Sequence, residues 1–205
     1  LFFINFSIMC QSTELKKEFL STKQLYAEKK YKEALVSNNK ALLLSTNEFG
    51  EEHLTTATLH ENKGRLLLQT NDYYNAELVF KKVIYIRKKL LSLHDPSIAE
   101  AIDYLAVSYR KQEKYKLALE AHNEVLGIMA KVIANNPGQI SELSRRSVLY
   151  RARAFQTKGD IFVEDGKLEE ALGNYKTALK IFERTLGENS DEFKELKQLI
   201  QYNYK

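Results

Sequence analysis

Little in this chain could staple, kink or rigidify a fold covalently. Among its 205 residues the single Cys, Cys10, excludes both an intrachain disulfide and a cysteine zinc site. Two Pro and eight Gly leave little room for turn-rich β structure. Charge of one sign is also scarce in excess. Lys and Arg number 31 against 27 Asp and Glu, a net of +4 spread along the chain, which does not make a nucleic-acid-binding arm. No Gly-rich phosphate loop occurs, because Gly64, Gly127 and Gly159 are isolated. The four histidines, His53, His60, His94 and His122, lack the i, i+4 spacing or convergent carboxylates of a metal site. No catalytic residue, cofactor or metal is therefore expected, and the chain reads as no enzyme.

A period is what the chain does have. Ala34, Ala76 and Ala118 stand 42 residues apart, each just after an aromatic start: Tyr31-Lys32-Glu33-Ala34, Tyr73-Tyr74-Asn75-Ala76 and Tyr115-Lys116-Leu117-Ala118. A fourth copy, Leu168-Glu169-Glu170-Ala171, follows after a step of 53. Repetition in this range marks a stack of supersecondary units, each too small to bury its own apolar face. Within each period the apolar residues recur at three- and four-residue steps, as in Ile98, Ala99, Ile102, Leu105, Ala106 and Tyr109, so the units are helical. Asp95 before Pro96 marks one helix start. Gly50, Gly166 and Gly187 sit where helix ends need a left-handed residue. The spacing predicts helix pairs over 13–29 with 31–47, 51–70 with 73–91, 96–112 with 115–135, and 140–164 with 168–186. A last helix is expected over 190–203.

Residues 1–12 stand apart from 13–205, the repeat array. Leu1-Phe2-Phe3-Ile4-Asn5-Phe6-Ser7-Ile8-Met9 has the length of a leader's apolar core but no basic run before it. It reads as a truncated signal segment, for which a cut after Ser12 fits better than lipidation at Cys10 because Met9 is larger than the small residue a lipoprotein site wants, or as an apolar extension folding back on the first repeat. It is too short to span a bilayer. Export or the cell envelope is the expectation, with the cytoplasm as alternative, and a membrane enters only through that signal or anchor.

These motifs resemble the tetratricopeptide repeat, in its long 42-residue form similar to kinesin light chain. Setting Ala34, Ala76, Ala118 and Ala171 at the family's twentieth position puts Thr22, Gly64, Ala106 and Gly159 at the small eighth. Ala41, Val83, Val125 and Ala178 then fall at the twenty-seventh. Phe49-Gly50-Glu51-Glu52-His53-Leu54-Thr55-Thr56-Ala57 follows the long form's inter-repeat signature, and Asp95-Pro96-Ser97-Ile98-Ala99 keeps its second half. The resemblance implies an all-α, right-handed superhelical solenoid of about four helix-turn-helix repeats plus a C-terminal capping helix. In that cap Phe193, Leu196, Leu199 and Ile200 would cover the fourth unit, while Glu192, Lys194, Glu195 and Lys197 face water. The 11 residues added by the longer step are expected to extend the fourth unit's first helix.

The resemblance also implies a protein-interaction scaffold or adaptor that binds a peptide or partner helix in a concave groove. Its groove positions fall on Lys23, Tyr26, Asn62, Arg65, Gln69, Asp103, Arg110, Gln156 and Asp160. Arg65, Asn62 and Arg110 would hold a ligand's carboxylates and backbone amides, on an exposed face that tolerates substitution. The family's clamp for acidic chaperone tails is not reproduced, since Phe19, Glu100 and Tyr104 stand where basic residues belong. Two alternatives remain: a regulatory module of a larger peptidase-like or signalling protein, and a self-associating structural protein. The expected partner is protein or peptide, with no nucleic acid and no metal, and the chain a monomer or weakly self-associating. Glu51 and Glu52 read as helix-start carboxylates, and Lys81-Lys82, Arg87-Lys88-Lys89, Arg145-Arg146, Arg151 and Arg153 as solvated faces.

Overall fold

The computed structural model describes residues 12–136, 138 and 140–204. The N-terminal segment 1–12, with its expected signal or anchor, lies outside them except for Ser12. Among the described residues nine helices account for all regular structure. They fall into two compact units, one ending at Ser92 and one beginning at Leu93.

The first unit holds α1 (Thr13–Ala27), α2 (Tyr31–Phe49), α3 (Leu54–Gln69) and α4 (Tyr73–Leu90). The second holds α5 (Pro96–Lys111), α6 (Tyr115–Asn135), α7 (Ile140–Glu164), α8 (Leu168–Leu186) and α9 (Asp191–Asn203). Consecutive helices pack in pairs, α1 on α2 and α3 on α4 in the first unit, α5 on α6 and α7 on α8 in the second. The longer step does lengthen the fourth pair's first helix: α7 has 25 residues where α3 and α5 have 16.

Helix starts follow local chemistry. Ser12, His53, Asp72, Asp95 and Ser190 each accept a bond from an orphan N–H in the first turn of the helix that follows. His53 therefore begins α3, and its ring stacks on Phe49 at 4.8 Å. Glu51 and Glu52 precede that start; they are not first-turn carboxylates but ion-pair with Lys82 and Lys89 of α4. Between the two helices of each pair the chain turns through a residue with positive φ: Lys29 (59°), Asn71 (62°), Glu113 (62°) and Gly166 (72°). The amide after each one reaches back to a carbonyl five residues earlier, closing the helix end. Gly is needed at Gly50 and Gly187, with φ of 91° and 85° and extended ψ, a region closed to a Cβ.

The core repeats with the sequence. Ala34, Ala76, Ala118 and Ala171 are fully buried, as are Ala41, Val83, Val125 and Ala178, because the paired axes approach where side chains are small. A second complementarity runs beside it. Gly64 faces the ring of Phe80, and Gly159 faces the ring of Tyr175. In the other two pairs Thr22 and Ala106 occupy the glycine's place, and the register puts Asn38 and His122 in the ring's. A larger residue on one helix is matched by a smaller one on its partner, keeping the interior at constant volume.

At the C-terminus Phe193 and Leu196 of α9 are buried against Ala171, Tyr175, Ala178 and Phe182, with Leu199 and Ile200 beside them. The cap therefore covers the fourth pair as expected. Its polar side does not simply face water, because Glu192 pairs with Arg153 and Glu195 with Lys111.

Candidate functional site

The nine groove positions separate between the two units. In the first, Tyr26, Asn62 and Arg65 meet around a crevice too narrow for water, with Thr22 and Leu66. The Arg65 guanidinium lies 5.6 Å from the Tyr26 ring centre, a cation–π contact. Arg65 is only 5% exposed and Asn62 is buried too, which corrects the picture of solvated groove residues. Charge reversal at Arg65 would bury a carboxylate rather than leave the fold intact. Lys23 and Gln69 are exposed and outside this cluster. Beside it, Glu61 of α3 is ion-paired with Arg87 of α4, both buried. Arg87 is therefore a structural cation, not part of a solvated run.

His60, one turn from Gly64 on α3, is also buried, and neither ring nitrogen has a hydrogen-bond partner among the described residues. Burial, helped by the Lys82 charge and opposed by Glu51, lowers its pKa from 6.5 to about 4. The imidazole is neutral when folded at neutral pH. Between those two values the unfolded chain binds the proton and the folded chain does not, so stability is full above pH 6.5 and falls as the pH drops toward 4. A gap of this size corresponds to at most about 3 kcal/mol. Urea titrations at pH 7 and pH 4.5 should show the loss, and His60→Leu should remove that part of it; an unchanged slope in the variant contradicts the assignment.

In the second unit the polar residues form a ladder between helices. Asp103, 1% exposed, pairs with Arg153 of α7 and has the ring of His122 at 3.5 Å. Arg153 in turn reaches Glu192 of α9 at 3.1 Å. Arg110 of α5 donates to Asp160 at 3.1 Å, and Asp160 also accepts the Tyr175 hydroxyl at 2.8 Å. Burial raises the Tyr175 hydroxyl well above the usual phenol range, and the Asp160 carboxylate raises it further. Arg153, like Arg87, departs from the solvated face expected of it.

An open cleft of about 1270 Å³ lies within this unit, bounded by the end of α5, the C-terminal half of α7 and most of α9. Arg110, Gln156 and Asp160 line it, so the structure brings three of the nine positions together there, while Asp103 is not among its lining residues. The wall that sequence reasoning missed is α9, the turn after α5 and the start of α6: Glu113, Tyr115, Gln198, Gln201, Tyr202 and Tyr204. Tyr202 is 85% exposed, and the Tyr204 ring meets Tyr175 edge-on at 6.1 Å. Among the described residues no cluster of His, Cys, Asp and Glu could hold a metal ion, and no helix is long and apolar enough to cross a membrane.

Comparison with known proteins agrees with this architecture. Residues 24–89 match the tetratricopeptide repeat family. Two crystal structures of nearly identical TPR-like repeats from a Podosopora anserina kinesin-light-chain candidate share the fold. One superposes with a TM-score of 0.62 at 16% identity, over 96% of this chain and 100% of that one. The other, a point variant of those repeats, gives 0.61 at 19% identity, over 96% and 89%. No curated protein sequence matches the chain. The fold is thus all-α and built of paired helices, like the TPR-like repeats of those two structures.

Proposed function

We propose that this chain of tetratricopeptide repeats is a non-enzymatic adaptor that holds a peptide or partner helix in the cleft of its second unit. Tetratricopeptide repeats in general mediate protein–protein interaction. The observation that carries the reading for this chain is the cleft itself: an open trough whose lining mixes side-chain amides, tyrosines and paired charges. Such a lining can satisfy an extended backbone and grip side chains with rigid aromatic surface.

A second reading has its own support. Val36 and Leu43 on α2 are exposed, and so are Leu78 and Tyr85, their equivalents one period on in α4. The second unit has Glu120, Gly127, Gly173 and Lys180 at the corresponding places. An apolar patch confined to one unit favours contact with another protein surface, including a second copy.

One experiment separates the two. A photo-reactive benzoylphenylalanine at Tyr202 places a crosslinker in the cleft, and one at Val36 places it on the outer face. Adducts to a different protein from the Tyr202 position, with none from Val36, are the expected result. Crosslinks only from Val36, forming a dimer band, would replace the adaptor reading with self-association.

A further inference from the structure

The charge pattern of the cleft in the second unit determines which ligand it suits. Both cations that line it are already matched, Arg110 by Asp160 and Lys111 by Glu195. Neither offers an unshared charge to a ligand carboxylate, which reverses the polarity expected from the groove residues alone. Of the lining carboxylates, Glu113 has no ion-pair partner among the described residues. It sits on the left-handed turn residue between α5 and α6, two residues before Tyr115. The hydroxyls along this wall are raised chiefly by burial, with neighbouring carboxylates adding to it. Tyr115 is raised by burial first, and then by Asp160, Glu113 and Glu164 against Arg110 alone. Tyr204 is raised by burial and by Asp160. Tyrosine faces beside an unmatched carboxylate make a receptor for a cation, through ring quadrupole and charge together.

The geometry points to this cleft as the site for an extended peptide presenting an arginine or lysine, the cation seated between the Glu113 carboxylate and the Tyr115 ring, the backbone met by the amides of Gln156, Gln198 and Gln201. This assignment rests on the reading of the cleft as a protein-binding surface and specifies its ligand class. The chain as a whole carries a net charge of +4, so nonspecific attraction would favour acidic peptides. A preference for basic ones has to come from a local site.

The test is fluorescence anisotropy of the full chain with three labelled probes, short peptides alternating serine with arginine, glutamine or glutamate. The arginine probe should bind about fivefold or more tightly than the glutamine probe, the sum expected of one exposed ion pair and one cation–π contact. Glu113→Gln and Tyr115→Leu should each remove part of that difference and together most of it, and the exposed Glu113→Gln should leave the melting midpoint unchanged. Tightest binding of the glutamate probe would overturn the basic-ligand assignment while leaving a peptide surface in place. Equal binding of all three probes would do the same. Failure of every probe, at concentrations where the Tyr202 crosslinker also captures nothing, would overturn both.

Discussion

Replacing Gly159 with alanine should lower stability by about 2–3 kcal/mol, although alanine is the better helix former by about 1 kcal/mol. The added Cβ would stand 2.5 Å from Cδ1 and 2.9 Å from Cζ of Tyr175, distances at which one group must move. Tyr175 has nowhere to go. It is buried, its hydroxyl is bonded to Asp160, and its ring is held against Tyr204. Gly64→Ala meets the Phe80 ring at 2.6 and 2.8 Å. A phenylalanine lacks the hydroxyl that tethers Tyr175, so a smaller loss of about 1–2 kcal/mol is expected there. The repeats themselves suggest the rescue. Where the small residue is Ala106 the facing residue is His122, so Gly64→Ala with Phe80→His should recover part of the loss. Denaturant midpoints of the singles and the double variant decide it. Strict additivity of the two substitutions would show that they do not share one space.

Asp103→Ala should cost about 3–4 kcal/mol, because it leaves Arg153 short of its buried partner and opens a void beside His122. Asp103 would be an exposed ligand contact on the family's groove pattern, where substitution is worth only about ±0.5 kcal/mol. The two expectations differ by several kcal/mol, so thermal unfolding of this variant distinguishes them without any knowledge of the partner. Arg153→Leu with Asp103→Leu, which removes both charges and fills the volume, should be far milder than either single truncation. A double variant as damaging as Asp103→Ala would mean that the charge pairing is not what holds α5 to α7.

How much of this was legible beforehand depends on the kind of residue. Alanines at a fixed period, Gly50 and Gly187 after apolar stripes, and Asp95 before Pro96 each act within one helix or one turn. Their spacing therefore placed helix boundaries to within a few residues. The exception, the start of α3 at Leu54, arose because Glu51 and Glu52 look like first-turn acids, while the actual cap is the imidazole of His53. The left-handed turns at Lys29, Asn71 and Glu113 were invisible because only the fourth copy, Gly166, uses the residue that announces such a turn.

The polar residues on the inner helices were harder to read, since Asp, Arg, Asn and Gln look alike whether solvated or buried in pairs. A signal was nonetheless present. Asp103 with Arg153 and Arg110 with Asp160 are opposite charges at the same separation of 50 residues. That is one long repeat step less about a helical turn, the offset at which successive first helices meet. Charge complementarity at the repeat offset distinguishes an internal ladder from a row of ligand contacts. The α9 wall of the cleft had no such signal, because Gln198, Gln201 and Tyr202 lie on the side of the cap that an apolar count assigns to water.

Occupancy of the cleft is read by hydrogen–deuterium exchange on the full chain, alone and saturated with whichever protein the Tyr202 crosslinker captures. Slowed exchange is expected at the end of α5, in the C-terminal half of α7 and along α9, with the amides of α2 and α4 unchanged. Protection confined to α2 and α4, with α9 exchanging as in the free chain, would contradict it.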